Sequence, residues 1–321
     1  MSWPPVARAL MPVLKGSLTW IPGVYRTFFD RHAGGGTHHA EYCYGVWLKH
    51  LTFLWEHGMR SMPDTVLELG PGSSLGIGLA ALICGANRYL AVDVVRRARE
   101  STNAVVLRDL VALFQARAPR PSESWPDYDA YLDRRLFPGH ILDEDRLGRW
   151  LAPERLALLA QAVASLEPTP SAPTIVYETW ADRDPFGEGE VDLVLSHAVL
   201  QHATDLDRVY KSCRRWLKPG GWMSHQIDFS AHGITDVWNG HLQYSERLWG
   251  LVAGRRAYFL NRERCSTHLA LLHANGFEVV SVIRQSRLDG LDRSLLARRW
   301  RHISDEDLTC SGALIQARKR A

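Results

Sequence analysis

The chain has 321 residues, 46% hydrophobic and 23% charged, which is ordinary for a folded globular protein and far from the composition of a disordered one. Lys and Arg total 38 against 35 acidic residues, and a net charge of +3 gives no electrostatic footprint for wrapping nucleic acid. Five cysteines, scattered and never spaced Cys-x-x-Cys, read as reduced thiols of a cytoplasmic protein, and no apolar run approaches the roughly eighteen residues of a spanning helix.

In chain order, Met1 to Phe29 sets Pro4, Pro5, Arg8, Lys15, Pro22 and Arg26 among apolar residues, which interrupts any signal-peptide core. Trp20, Ile21, Tyr25, Phe28 and Phe29 beside those cations suit either a helix packed on the main domain or an arm in peripheral contact with a membrane. Gly34-Gly35-Gly36-Thr37 then breaks the chain before a helix beginning near His38 and stopping near Gly58. Tyr42, Val46, Leu48, Leu51, Phe53, Leu54 and Trp55 crowd its surface, so it is expected to be sandwiched. Residues 1–60 thus read as a helical N-terminal arm ahead of a main domain at 61–321.

From Thr65 strands alternate with helices: a strand to Leu69, a helix from Leu75 to Cys84 and a strand from Arg88 to Asp93. An insertion at about 94–173, divided by Pro119, Pro121, Pro126 and Pro138, is too long for a bare loop and reads as a helical cap. Further strands are expected at 174–179, 191–196 and 221–228. A second insertion at about 231–264 carries Trp238, Tyr244, Trp249, Tyr258 and Phe259, aromatic area that either covers a ligand or packs. A helix at 266–275, a strand at 277–283 and a last strand near 312–317 complete an α/β pattern with a parallel sheet and no internal repeat.

The most informative stretch is Val66-Leu67-Glu68-Leu69-Gly70-Pro71-Gly72-Ser73-Ser74-Leu75-Gly76, a strand running into a glycine turn and a helix. A second strand ends on Asp93 about twenty residues later, where a carboxylate can accept bonds from both ribose hydroxyls. The alternative for Asp93 is a cap on the following helix. A nicotinamide fingerprint, Gly-x-Gly-x-x-Gly, would place its third glycine one position before Gly76.

Glu68-Leu69-Gly70-Pro71-Gly72, Asp93, the run from Asp192 to His202 and Leu217-Lys218-Pro219-Gly220-Gly221 resemble, in order and spacing, the motifs of class I S-adenosylmethionine-dependent methyltransferases. The resemblance covers most of the chain from Thr65 onward, outside both insertions. It implies a Rossmann-like, seven-stranded, mostly parallel sheet with an antiparallel last strand and S-adenosyl-L-methionine across the carboxyl ends of the first strands. Carried over, Glu68, Gly70, Gly72 and Ser73 would hold the amino acid part of the cofactor, and Asp93 with Val94 the ribose. Trp180-Ala181-Asp182 would meet the adenine, and Ser196 and His197 would lie beneath the methionine portion. The family often places an acidic residue where Trp180 stands, which leaves Asp182 or a backbone group to read the adenine amine. Tyr42-Cys43-Tyr44-Gly45-Val46-Trp47-Leu48-Lys49-His50-Leu51 and the aromatic insertion also resemble a bacterial subgroup associated with polysaccharide or specialised metabolite assembly, which suggests a hydroxylated small-molecule or glycan substrate.

Methyl transfer to a hydroxyl needs in-line positioning and a base, for which His197, His202, His225, Asp228 and His232 are candidates. His225 and Asp228 sit at the end of a strand on the cofactor side, although their odd separation points them to opposite faces unless the strand bends between them. His202, at a helix start, serves either in catalysis or in ordering its loop. His225, Asp228 and His232 also invite a metal reading, but one carboxylate is a poor match to magnesium, so no metal is expected. His38-His39 does not share a helix face. Trp125, Tyr128, Tyr131, Trp238 and Tyr244 suit stacking on sugar faces or core packing. Arg96-Arg97-Ala98-Arg99 and Arg298-Arg299-Trp300-Arg301 suit an anionic substrate or solvated helix faces. The expected reaction is O-methylation of a sugar or small hydroxylated metabolite through a histidine base. C- or N-methylation, binding of the cofactor without catalysis and nicotinamide-dependent reduction remain the alternatives.

Overall fold

Seven strands form one sheet in a computed structural model that describes residues 5–21, 23, 35–120, 136–165, 173–180 and 184–320. They are β1 (Thr65–Leu69), β2 (Arg88–Asp93), β3 (Thr174–Thr179), β4 (Val191–His197), β5 (Leu217–Asp228), β6 (Phe277–Ser286) and β7 (Cys310–Lys319), in the spatial order β3-β2-β1-β4-β5-β7-β6. The pairs β1/β2, β2/β3, β1/β4 and β4/β5 are parallel, whereas β7 runs antiparallel between β5 and β6. This is the expected Rossmann-like sheet with its antiparallel last strand. Every residue of β1 is buried, as strands covered on both faces require. Strand β5 starts four residues earlier than its apolar run suggested, because Leu217 already pairs with Val191 across an irregularity in register.

Helices cover both faces. On one lie α2 (Ala40–Glu56), α3 (Gly76–Ile83), α4 (Glu100–Gln115), α5 (Glu144–Trp150) and α6 (Pro153–Ser165), whose apolar side chains share a single core with Val66, Tyr89, Ala91 and Leu193. On the other lie α7 (Leu206–Trp216) and α9 (Cys265–Ala274), packed on Leu67, Leu90, Val194 and Met223. The expectation for α2 holds: it buries 13 of its 17 residues, Trp47, Leu48 and Leu51 completely. Each such side chain contributes about 1.5–3 kcal/mol by leaving water.

The described helices of the first insertion do not cap the strand ends. In α4 the buried residues Asn103, Val106, Leu107, Leu110 and Phe114 follow one helical stripe, which seats that helix against α2 and α3 on the sheet face. Trp125, Tyr128 and Tyr131 lie outside the described residues. In the second insertion packing wins over display. Tyr244, Trp249, Val252 and Leu260 form a satellite core with Val13 of α1 (Pro5–Leu18), while Trp238 is also buried. There α1 lies across α8 (Glu246–Ala253) so closely that a Cβ on Gly16 would fall 2.0 Å from the Leu251 carbonyl oxygen. All five cysteines are buried thiols. Among the described residues, no helix is long and apolar enough to cross a membrane.

Candidate functional site

The chain leaves β1 for β2 on one side and reaches β4 on the other, so the carboxyl ends of β1 and β4 flank the switch point at which open α/β sheets bind ligands. A cleft of about 540 Å³ opens there. Its floor is the glycine turn after β1. Gly70 (φ 67°) and Gly72 (φ 77°) occupy the left-handed region, and the Gly70 N–H donates to Val92 O at 2.7 Å. A Cβ on Gly70 would stand 2.7 Å from Val199 Cγ2, so only a bare backbone fits this approach.

Asp93 ends β2 on the cleft wall, with Val94 beside it. Its Oδ1 accepts the Val94 N–H at 2.7 Å, so it serves the turn and faces the ligand space together. Burial raises the Asp93 pKa against the opposing N–H groups of Val94, Val95 and Gly72. Trp180 closes the adjacent wall and is tied to β2 by its N–H on Asp93 O at 2.8 Å. Its ring meets Trp216 edge-on at 5.1 Å and the Arg208 guanidinium at 5.6 Å, and its buried indole Nε1–H has no hydrogen-bond partner among the described residues. Ala181 and Asp182 lie outside the described residues.

Four expected cofactor contacts are placed elsewhere. Glu68 is 2% exposed, and its Oε2 accepts the Tyr89 hydroxyl at 2.5 Å. Burial pushes its pKa to about 8, so the carboxyl belongs to the core beneath the turn. Ser73 gives its N–H to Thr37 Oγ1 at 2.9 Å, and Ser74 N donates to the same oxygen at 3.2 Å. Thr37, which follows the glycine triplet, thus caps the turn, a role the sequence reading missed. Ser196 is buried with its Oγ 2.8 Å from His225 Nδ1. His197 turns toward α2, its Nδ1 3.4 Å from His50 Nε2 and its ring 5.8 Å from Tyr42. Strand β4 lines the cleft through the next residues instead, Ala198 (φ 56°), Val199 and Leu200. A non-glycine residue at positive φ beside a ligand site is where strain is commonly held.

The base candidates divide as the strand geometry requires. His225 is 1% exposed, and burial pulls its pKa down to about 3. It does not reach the cleft and is corrected from base to core residue. Asp228, on the opposite parity at the end of β5, instead pairs with His232, Oδ2 to Nε2 at 3.0 Å. Burial alone would raise the Asp228 pKa, but hydrogen bonds from His232 and Ser230 outweigh it and hold the carboxylate below its usual range. His232 (φ 49°) and His202 both line the cleft, their ring centroids 5.4 Å apart. His202 Nδ1 lies 2.9 Å from Tyr258 O, an acceptor only, so Nδ1 carries a proton and donates it there. Because His225 faces away, the supposed metal set does not assemble, and among the described residues no cluster of three His, Cys, Asp or Glu side chains is placed to hold a metal.

The loop 198–203 is anchored by the second insertion: Asn261 Nδ2 donates to Leu200 O at 2.8 Å and to Ala203 O at 2.9 Å. Tyr258 reaches the cleft mouth from the same insertion. Behind β5 runs a buried polar layer that the sequence reading also missed. Lys49 Nζ donates to Gln226 Oε1 at 2.9 Å, and His50 Nδ1 is 2.7 Å from Ser224 Oγ. Burial draws the Lys49 pKa down to about 7. A lysine and a histidine inside an otherwise apolar helix were the available signal.

Residues 153–224 match the family model of a methyltransferase domain, from α6 through β3, β4 and α7 into β5, with the glycine turn lying ahead of the matched segment. No curated protein matches the chain. Among solved structures, an S-adenosylmethionine-dependent methyltransferase from Mesorhizobium loti is similar at 17% identity, covering 84% of this chain and 96% of that one, with a TM-score of 0.41. Phosphoethanolamine N-methyltransferase 2 from Haemonchus contortus, in complex with S-adenosyl-L-methionine, is similar at 15% identity, covering 88% of this chain and 57% of that one, with a TM-score of 0.43. Likeness at this level adds nothing to the class, which rests on the sheet and the matched segment. The sheet order and the matched segment agree with a methyltransferase domain of the Rossmann-like fold, the class of protein that the glycine turn and Asp93 led us to expect. The cleft offers what S-adenosylmethionine would need: a backbone at Gly70 that tolerates no Cβ, a carboxylate at the end of β2 and an indole N–H with no partner among the described residues.

Proposed function

We propose that this chain methylates a hydroxyl of a sugar or small hydroxylated metabolite, with His232, held by Asp228, as general base. Gly70 and Gly72 let the backbone approach the amino acid part of the cofactor, Asp93 takes the ribose hydroxyls and Trp180 borders the adenine. S-adenosylmethionine supplies there an electrophilic methyl group on a positively charged sulfur. The observation that carries the reading is His232, on the wall of the cleft that also holds Gly70, Gly72 and Asp93, paired at 3.0 Å with Asp228 behind it. Asp228 engages Nε2 and stabilises the imidazolium that forms when Nδ1 takes the acceptor's proton. His202, its Nδ1 held by Tyr258 O, faces that ring across the cleft, while Tyr258 narrows the entrance.

The test is to incubate the protein and S-adenosylmethionine with a panel of sugars and hydroxylated metabolites and to look by mass spectrometry for one added methyl group. On an acceptor so found, His232→Ala and Asp228→Asn should each lower kcat, the first by about 10²–10⁴. His225→Gln should change kcat little where the fold is kept. Methyl transfer that survives His232→Ala at the wild-type rate would refute the assignment of the base.

A further inference from the structure

Helix α1 is seated on α8 through one face only. Pro12, Gly16 and Thr19 are buried in the crossing, and Thr19 Oγ1 accepts the Arg255 N–H at 2.8 Å. The opposite face is apolar and open. Leu10, Leu14 and Leu18 follow one another at helical spacing and are 51%, 58% and 46% exposed, and Trp20 and Ile21 continue the stripe at 58% and 50%. On α8, Leu248 and Leu251 are exposed as well, at 42% and 44%. Single exposed leucines need no explanation, but seven large apolar side chains on two crossing helices and the turn after α1 are a surface that water disfavours.

Among the described side chains, the charges carried by the two helices around the stripe are mostly basic. Residues 10–21 contain Lys15 and no carboxylate. Exposed Arg247 and Arg255 flank the leucines of α8, with the Arg255 guanidinium 5.8 Å from the Trp20 ring centroid. The one carboxylate of α8, Glu246, is already engaged by Arg262 at 2.8 Å and by Arg299 at 3.3 Å. Leucine and tryptophan beside unopposed cations complement a surface that is apolar beneath and negative above, namely the headgroup region of a bilayer containing anionic lipid.

We propose that the crossed pair α1 and α8 is a membrane-docking face that lies in the plane of an anionic bilayer, its leucines and Trp20 entering the acyl boundary and its cations meeting the phosphates. The face is coupled to the catalytic cleft by chain, since only residues 254–257 separate α8 from Tyr258 at the cleft mouth. Docking therefore sets the entrance of the site at the level of the lipid headgroups.

The experiment is co-sedimentation of the full chain with phosphatidylcholine vesicles and with mixed phosphatidylcholine and phosphatidylglycerol vesicles. The chain should partition onto the mixed vesicles at least about tenfold more strongly than onto the neutral ones, since each basic residue near the surface is worth about 1 kcal/mol. Leu14→Glu with Leu18→Glu should lose about tenfold or more of that partition while keeping S-adenosylhomocysteine affinity, which shows the fold intact. Leu288→Glu, at a leucine 90% exposed on the connection between β6 and β7, should change neither. Equal partition onto both vesicle types, or none onto either, would overturn the proposal. So would light scattering that shows a dimer dissolved by the Leu14 and Leu18 changes, because the face would then belong to a second copy of the chain.

Discussion

Replacing Asp93 by Asn separates its two tasks. One oxygen accepts the Val94 N–H at 2.7 Å, and an asparagine carbonyl oxygen can keep that bond and with it the turn. The charge and the second acceptor oxygen are lost, so one of the two ribose hydroxyls loses a charge-assisted bond. Such a bond is worth about 1.5–3 kcal/mol, which predicts S-adenosylhomocysteine binding weaker by about 10- to 150-fold. Calorimetric titration measures this, and a thermal melt run in parallel should show little change. The acid limb adds a second signature. Because burial raises the Asp93 pKa, wild-type affinity should begin to fall at a higher pH than an ordinary carboxylate would dictate, and the variant should lack that fall. An Asp93→Asn protein that binds within about threefold of wild type, with the same pH profile, would refute the role given to this carboxylate.

Glu68 titrates near pH 8 in the folded chain against 4.5 for the free side chain, so the folded state holds the proton more tightly and stability falls as pH rises between those values. Urea melts at pH 5 and pH 8 should show the loss, at most about 5 kcal/mol by linkage, and Glu68→Gln should abolish it. Lys49 slopes the other way: its folded pKa near 7 lies below 10.5, so its contribution makes stability rise with pH over that range, and Lys49→Met should remove the rise. Gly70→Ala combines a left-handed backbone cost of about 1–2 kcal/mol with a Cβ 2.7 Å from Val199 Cγ2. Adding Val199→Ala should recover the steric part in thermal melts and leave the backbone part.

The parts of the fold set by local rules were legible. Period-two and period-3.6 apolar patterns placed every strand of the sheet within a few residues, and the glycine turn with Asp93 marked the cleft wall. What escaped depended on where chains meet in space. Ser73 looked available until Thr37, from beyond the glycine triplet, was found on its N–H. The odd spacing of His225 and Asp228 warned that they diverge, and they do. Their replacement, Asp228–His232, needs a left-handed residue at His232 that no pattern announces. Likewise, the stripe of α4 could show that this helix packs, but not that it packs on α2 and α3 rather than over the strand ends.

The most direct measurement is a crystal structure of the protein with S-adenosylhomocysteine bound. The ribose hydroxyls should lie on the Asp93 carboxylate, the adenine beside Trp180 and the sulfur turned toward His202 and His232. A ligand seated away from the glycine turn, or one whose sulfur faces His197 and Tyr42 with His232 remote, would contradict this.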